Sequence, residues 1–67
     1  MKIKAWIARD LNGSLNLYSD EPGKDIFSWT LWGLDVWVKN LDSTEFSEVK
    51  WEDENATEVE LEIHLKR

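Results

Sequence analysis

The clearest pattern lies at the end of the chain, where Val59, Leu61, Ile63 and Leu65 alternate with Glu58, Glu60, Glu62, His64 and Lys66. A period of two, with one apolar and one acidic set, predicts a half-buried strand with an acidic outer face. Residues 2–9 repeat the period, with Ile3, Ala5 and Ile7 on one face and Lys2, Lys4 and Trp6 on the other. Opposite charges facing each other across paired strands contribute about 0.2–1 kcal/mol each. The first and last strands are therefore predicted to be neighbours, with Lys2 and Lys4 near Glu60 and Glu62. Charge alone leaves their relative direction open.

Asp10-Leu11-Asn12-Gly13-Ser14 follows the first strand, and Asn-Gly between two apolar runs predicts a hairpin. A two-residue loop would place Ile7 opposite Tyr18. A three-residue loop is a type I turn begun by Asp10 with Gly13 left-handed, and it pairs Ile7 with Leu17 and Trp6 with Tyr18. The second register is preferred because it gathers Ile3, Ala5, Ile7, Leu15 and Leu17 on one face and pairs two aromatic rings on the other.

Glu21-Pro22-Gly23-Lys24 predicts a turn. Residues 26–32, IFSWTLW, favour strand by composition, but both faces are apolar, so a short buried helix is the rival. Gly33-Leu34-Asp35 breaks that run, and Val36-Trp37-Val38-Lys39 predicts a short strand. Asp42-Ser43-Thr44-Glu45 has the spacing of a helix cap, so a helical turn is expected near residues 43–49. Trp51 precedes a polar loop, Glu52-Asp53-Glu54-Asn55. Together these elements predict one small domain over residues 1–67, mainly β, with an antiparallel sheet of four to five strands and one short helical turn.

Composition sharpens this picture. The chain has 67 residues, no cysteine and one histidine, which excludes disulfides, thiolate metal sites and any zinc site built on two histidines. Domains of this size commonly need a disulfide, a metal or a partner subunit. The remaining resource is five tryptophans, Trp6, Trp29, Trp32, Trp37 and Trp51, each able to bury roughly 150–250 Å². Either the monomer buries nearly all of its apolar side chains or a second subunit covers some of them, and a homo-oligomer is one of the two expectations. Trp29, Trp32 and Trp37 cannot all enter one small core if strands and a tight turn connect them. No apolar run approaches 18 residues, and MKIKAWIARD lacks the apolar core and cleavage site of a secretion signal. A cytoplasmic location is expected.

Charge is placed one-sidedly. Residues 1–40 hold five basic and five acidic side chains, whereas residues 41–67 hold three basic and nine acidic ones and carry the whole net charge of −6. Clustered Lys and Arg for phosphate contact are lacking, which disfavours direct nucleic-acid binding. The acidic strand suggests the reverse, since Glu58, Glu60 and Glu62 would stand about 6.8 Å apart along one face, a spacing suited to imitating phosphates. A solvated or lysine-paired face is the simpler account of the same residues. Ser, His and Asp are all present, but no spacing places a nucleophile beside its base. Glu52-Asp53-Glu54 lacks the ligand spacing and central glycine of a calcium loop. No catalytic residue, metal site or cofactor is expected, and no membrane partner.

Two stretches resemble a known group. One comprises Trp6-Ile7-Ala8-Arg9-Asp10, Asn12-Gly13-Ser14-Leu15 and Leu17-Tyr18, followed by Pro22; the other comprises Phe46, Glu48-Val49, Trp51-Glu52-Asp53-Glu54 and Thr57-Glu58-Val59-Glu60-Leu61. Together they resemble a set of short uncharacterised proteins of gut bacteria and their phages and mobile elements. The similarity leaves the Trp-rich middle unmatched, and those proteins often carry proline at the position of Ser47 and near Ala56. The resemblance implies a stand-alone accessory or phage-related protein, and it carries no activity or site residue across.

The expected function is non-enzymatic binding of another protein with a basic surface. The candidate surface comprises Glu52, Asp53, Glu54, Glu58, Glu60 and Glu62, flanked by Trp51 and Trp37. Imitation of nucleic acid is its sharpest form. Two other classes compete: a small-ligand module using Trp29, Trp32 or Trp37 as a stacking face, and a structural homo-oligomer subunit.

Overall fold

The computed structural model describes residues 1–62. His64 and the predicted continuation of the last strand through Leu65 lie outside them. Six strands form: β1 (Lys2–Arg9), β2 (Leu15–Tyr18), β3 (Gly23–Lys24), β4 (Trp29–Thr30), β5 (Val38–Leu41) and β6 (Thr57–Glu62). Four make an antiparallel sheet in the order β5-β2-β1-β6, and β3 and β4 form a separate two-stranded hairpin. The described residues contain no helix long and apolar enough to cross a membrane.

The first hairpin takes the three-residue loop. Ile7 pairs with Leu17 and Trp6 with Tyr18. The Asp10 N–H donates to the Ser14 carbonyl at 2.8 Å, the Gly13 N–H donates to the Asp10 carbonyl at 2.9 Å, and Gly13 sits at φ +93°. A side chain at Gly13 would be strained there, which is why the turn needs this glycine. The terminal strands are neighbours as the charges predicted, and they run antiparallel: Lys2 is opposite Glu62 and Lys4 opposite Glu60.

The sheet has apolar residues on both faces. On one, Ile7, Leu15 and Val49 form a cluster with Leu17, Leu41 and Val59 packed against it. On the other, Ala8, Tyr18 and Trp29 are surrounded by Trp6, Leu31, Trp51 and Ala56. Trp29 fastens the small hairpin to the sheet by polar bonds as well as by packing. Its backbone N–H donates to Asp10 Oδ1 at 3.0 Å, and its Nε1–H donates to the Arg9 carbonyl at 3.0 Å.

The middle of the chain departs from expectation. Of residues 26–32, only Trp29–Thr30 are strand. Asp25–Ser28 form the hairpin turn, closed by the Asp25 N–H on the Ser28 carbonyl at 2.7 Å, so Ile26 and Phe27 project into solvent. Gly23 and Lys24, predicted as part of a turn, are the first strand of that hairpin. The short strand expected at Val36–Lys39 lies two residues later, at Val38–Leu41.

Residues 42–49 form two consecutive turns in place of the expected helical turn, closed by Glu45 N–H to Asp42 C=O at 3.1 Å and by Val49 N–H to Phe46 C=O at 2.9 Å. The cap itself is present: Asp42 Oδ1 accepts from the Thr44 N–H at 2.9 Å and from Thr44 Oγ1 at 2.7 Å. These bonds hold the Asp42 carboxyl below its ordinary pKa. The segment is instead gathered around one side chain. Arg9 Nε donates to Val49 O at 2.7 Å, Nη1 to Gly13 O at 2.8 Å and Ser43 O at 2.9 Å, and Nη2 to Glu45 O at 2.8 Å and Phe46 O at 3.2 Å. A guanidinium has five N–H donors, and all are used. Phe46 turns left-handed at φ +51° within this arrangement, a conformation costly for a bulky side chain.

Tyr18 gives the fold an alkaline limit. It is 1% exposed, and its hydroxyl donates to the Trp29 carbonyl at 3.5 Å. Burial raises its pKa, the Asp10 charge raises it further, and an Asn16 hydrogen bond opposes them. A raised folded-state pKa means that stability is fully present below the unfolded tyrosine value of about 10 and is lost as pH rises through the folded value. Because Tyr18 is the only tyrosine, phenolate absorbance reports it alone. The expected outcome is a titration above pH 10 that coincides with unfolding, and alkaline destabilisation that is reduced in Tyr18→Phe.

Candidate functional site

The site is built on β6, the outer strand at one end of the sheet. It pairs with β1, and among the described residues no strand lies on its far side. An edge strand of this kind offers a row of backbone N–H and C=O groups to a further strand. Alternation sends Glu58, Glu60 and Glu62 to the face that carries Lys2, Lys4 and Trp6, and all three glutamates are exposed. Val59 and Leu61 point to the other face.

The lysines temper the acidic face. Lys2 Nζ lies 3.9 Å from Glu60 Oε2, and both side chains are 65% exposed. Ion pairs this open contribute little, about 0.2–1 kcal/mol at most. Glu58 stands opposite Trp6.

The loop before β6 is ordered by its own contacts. The Asp53 N–H donates to the Lys50 carbonyl at 3.2 Å, and Asp53 Oδ2 accepts from the Lys50 N–H at 3.0 Å. Asp53 therefore acts inside the turn. Lys24 reaches over from the small hairpin, donating to the Trp51 carbonyl and to the Asp53 carbonyl at 3.1 Å. Its ammonium lies 4.2 Å from the centroid of the Trp51 ring and 5.4 Å from that of Trp29. Trp51 is half-buried against the Tyr18 cluster, so its ring serves the fold. Glu52 and Glu54 point outward beside it.

The eight candidate residues thus divide. Glu52, Glu54, Glu58, Glu60 and Glu62 are exposed carboxylates on β6 and the loop leading into it, while Asp53 and Trp51 stabilise that loop. Trp37 stands apart. It precedes β5 at the opposite end of the sheet, about 14 Å away at the usual strand spacing, where its N–H donates to Ser19 Oγ at 2.8 Å and its carbonyl accepts from the Ser19 N–H at 3.0 Å. The role of Lys24 was not foreseen, because a lysine after a glycine carries no sign of the two rings it meets. The role of Arg9 was equally hidden, since its carbonyl partners lie mostly over thirty residues away.

On the reverse face lies a groove of about 350 Å³, bordered by Ile7, Leu17, Leu41, Phe46, Val59 and Leu61, with Glu60 at its rim. Among the described residues no group of three or more His, Cys, Asp or Glu side chains could hold a metal ion. No protein-family model, curated protein or solved structure matches the chain.

Proposed function

We propose that this is a non-enzymatic accessory protein of the cytoplasm that binds another protein by accepting an extended basic segment along β6. The observation that carries the reading is the coincidence, on one strand, of an outer sheet edge and alternating exposed glutamates. Strand addition takes affinity from main-chain hydrogen bonds and specificity from alternate side chains. A partner strand with Lys or Arg at every second position would set its cations against Glu58 and Glu60, with Glu52 and Glu54 steering its approach. The resemblance to short phage and mobile-element proteins fits such an accessory role. Imitation of a nucleic-acid backbone draws on the same carboxylate spacing, but Lys2 and Lys4 lie opposite Glu62 and Glu60, an arrangement that suits a peptide strand better than a phosphate-binding groove.

The test uses a synthetic peptide alternating lysine with threonine, titrated by tryptophan fluorescence. Affinity should fall about tenfold or more between low and high salt. Glu58→Gln combined with Glu60→Gln should weaken it by a similar factor. Equal binding by the variant, or binding indifferent to salt, refutes the reading.

A further inference from the structure

The chain contains four asparagines and no glutamine. Asn16 and Asn40 are followed by leucine and Asn55 by alanine, whereas Asn12 is followed by Gly13 at the tip of the β1–β2 hairpin. The carboxamide of an asparagine is open to attack by the backbone nitrogen of the next residue. Attack is easiest where that residue has no side chain to crowd the nitrogen or restrict the backbone. Asn12 is exposed, and beyond its chain neighbours no heavy atom lies within 4 Å of where a side chain at Gly13 would begin. Water reaches this pair freely, so burial does not protect it.

We propose that Asn12 is a site of spontaneous deamidation held in check by the turn itself, and that its conversion to isoaspartate removes the chain irreversibly from the native fold. The inference is independent of the function proposed for β6.

The step needs no reactant but water. The Gly13 nitrogen gives up its proton to solvent base and attacks Cγ of Asn12. The new N–Cγ bond forms, the Cγ–Nδ2 bond breaks, and ammonia leaves with a proton from solvent. Water then opens the resulting succinimide ring at one of its two carbonyls, giving aspartate or isoaspartate.

Three features of the closed turn oppose ring closure. The Gly13 N–H donates to the Asp10 carbonyl at 2.9 Å, which keeps the proton on the attacking nitrogen. Asn12 Oδ1 accepts from the Ser14 N–H at 2.9 Å, which fixes the carboxamide. The backbone adds the third. Ring closure needs Cβ of Asn12 and the Gly13 nitrogen nearly eclipsed about the Asn12 Cα–C bond. Neither Leu11 nor Asn12 has a positive φ, so the bonded turn is type I, and its third residue sits at a ψ of about 0°, where those two atoms stand well apart. Conversion therefore proceeds from the open turn.

The two products differ in their effect on the hairpin. Aspartate keeps an oxygen for the Ser14 N–H. Isoaspartate routes the main chain through Cβ and Cγ and so lengthens a loop whose residue count sets the register. The Asp10 N–H bond to the Ser14 carbonyl at 2.8 Å and the Arg9 Nη1 bond to the Gly13 carbonyl at 2.8 Å depend on that count.

The test incubates the full chain in mildly alkaline buffer, below the range in which Tyr18 titrates, beside a synthetic peptide of residues 9–15, too short to hold a hairpin. Tandem mass spectrometry follows each asparagine. Asn12 should convert about tenfold or more slowly in the folded chain than in the peptide. In guanidinium chloride the full chain should lose that protection, and Asn12 should convert ahead of Asn16, Asn40 and Asn55. After removal of denaturant, the isoaspartate form should lack the native circular dichroism, whereas Asn12→Asp should have it. Equal rates in folded chain and peptide overturn the proposal. So does earlier conversion of another asparagine in the unfolded chain, an isoaspartate form that refolds, or an Asn12→Asp chain that does not fold.

Discussion

Replacing Trp29 by alanine should remove most of the stability of this chain. Trp29 is 6% exposed at the centre of the cluster with Ala8 and Tyr18, and truncating a buried tryptophan costs about 3–5 kcal/mol. A domain of this length has about 3–10 kcal/mol in total. The loss is compounded because the indole N–H satisfies the Arg9 carbonyl, the polar link that seats the β3–β4 hairpin on β1. Trp29→Phe keeps much of the apolar bulk and loses that bond, so it should cost less, about 1–3 kcal/mol. Urea denaturation at one fixed protein concentration measures both. A Trp29→Ala loss below about 1 kcal/mol would mean that the hairpin does not cover the sheet as described.

Arg9→Lys should be the second severe change, although it conserves charge. The guanidinium fork reaches Gly13 on one side and Ser43, Glu45, Phe46 and Val49 on the other. An ammonium has three donors on one nitrogen and cannot span that set. Some of the carbonyls are open to water, so the expected loss is about 2–4 kcal/mol rather than the sum of five charged hydrogen bonds. Its structural consequence is specific. With residues 42–49 released, Val49 leaves Ile7 and Leu15, and the amides of this segment should exchange faster while those of the β1–β2 hairpin stay protected. A loss under about 0.5 kcal/mol with unchanged exchange would show that the loop holds without Arg9.

These two residues mark where local sequence ceased to be informative. The β1–β2 register was legible because Asp10, Asn12 and Gly13 act on the backbone within a few residues of themselves, and the preferred loop sorted the side chains. The β1–β6 pairing was legible because Lys2 and Lys4 complement Glu60 and Glu62. Direction was not, since both directions satisfy the charges. Residues 26–32 gave no period, and their conformation is set by distant partners of Trp29, namely the Asp10 carboxylate and the Arg9 carbonyl. The segment after Asp42 carried a true capping signal, and Thr44 answers it, but Phe46 is left-handed at φ +51°, which interrupts a right-handed helix and has no local sign in the sequence. In the candidate site, alternation located the glutamates of β6 correctly on one face. It gave no sign that Trp51 would be clamped beneath Lys24, or that Trp37 would lie across the sheet.

The main sheet thus has one face covered by the small hairpin and Trp51, one face covered mainly by Val49, and an outer strand with exposed glutamates. Arg9 of β1 holds the carbonyls of residues 43–49, and Lys24 ties the loop at Trp51 and Asp53 to the small β3–β4 hairpin.

The most direct measurement is amide hydrogen exchange across Thr57–Glu62 with and without the alternating lysine–threonine peptide. Strand addition predicts that a subset of β6 amides slows on binding while those of β5, at the opposite edge, do not. Unchanged β6 exchange at saturating peptide, or equal protection at both edges, would contradict recognition along the acidic strand.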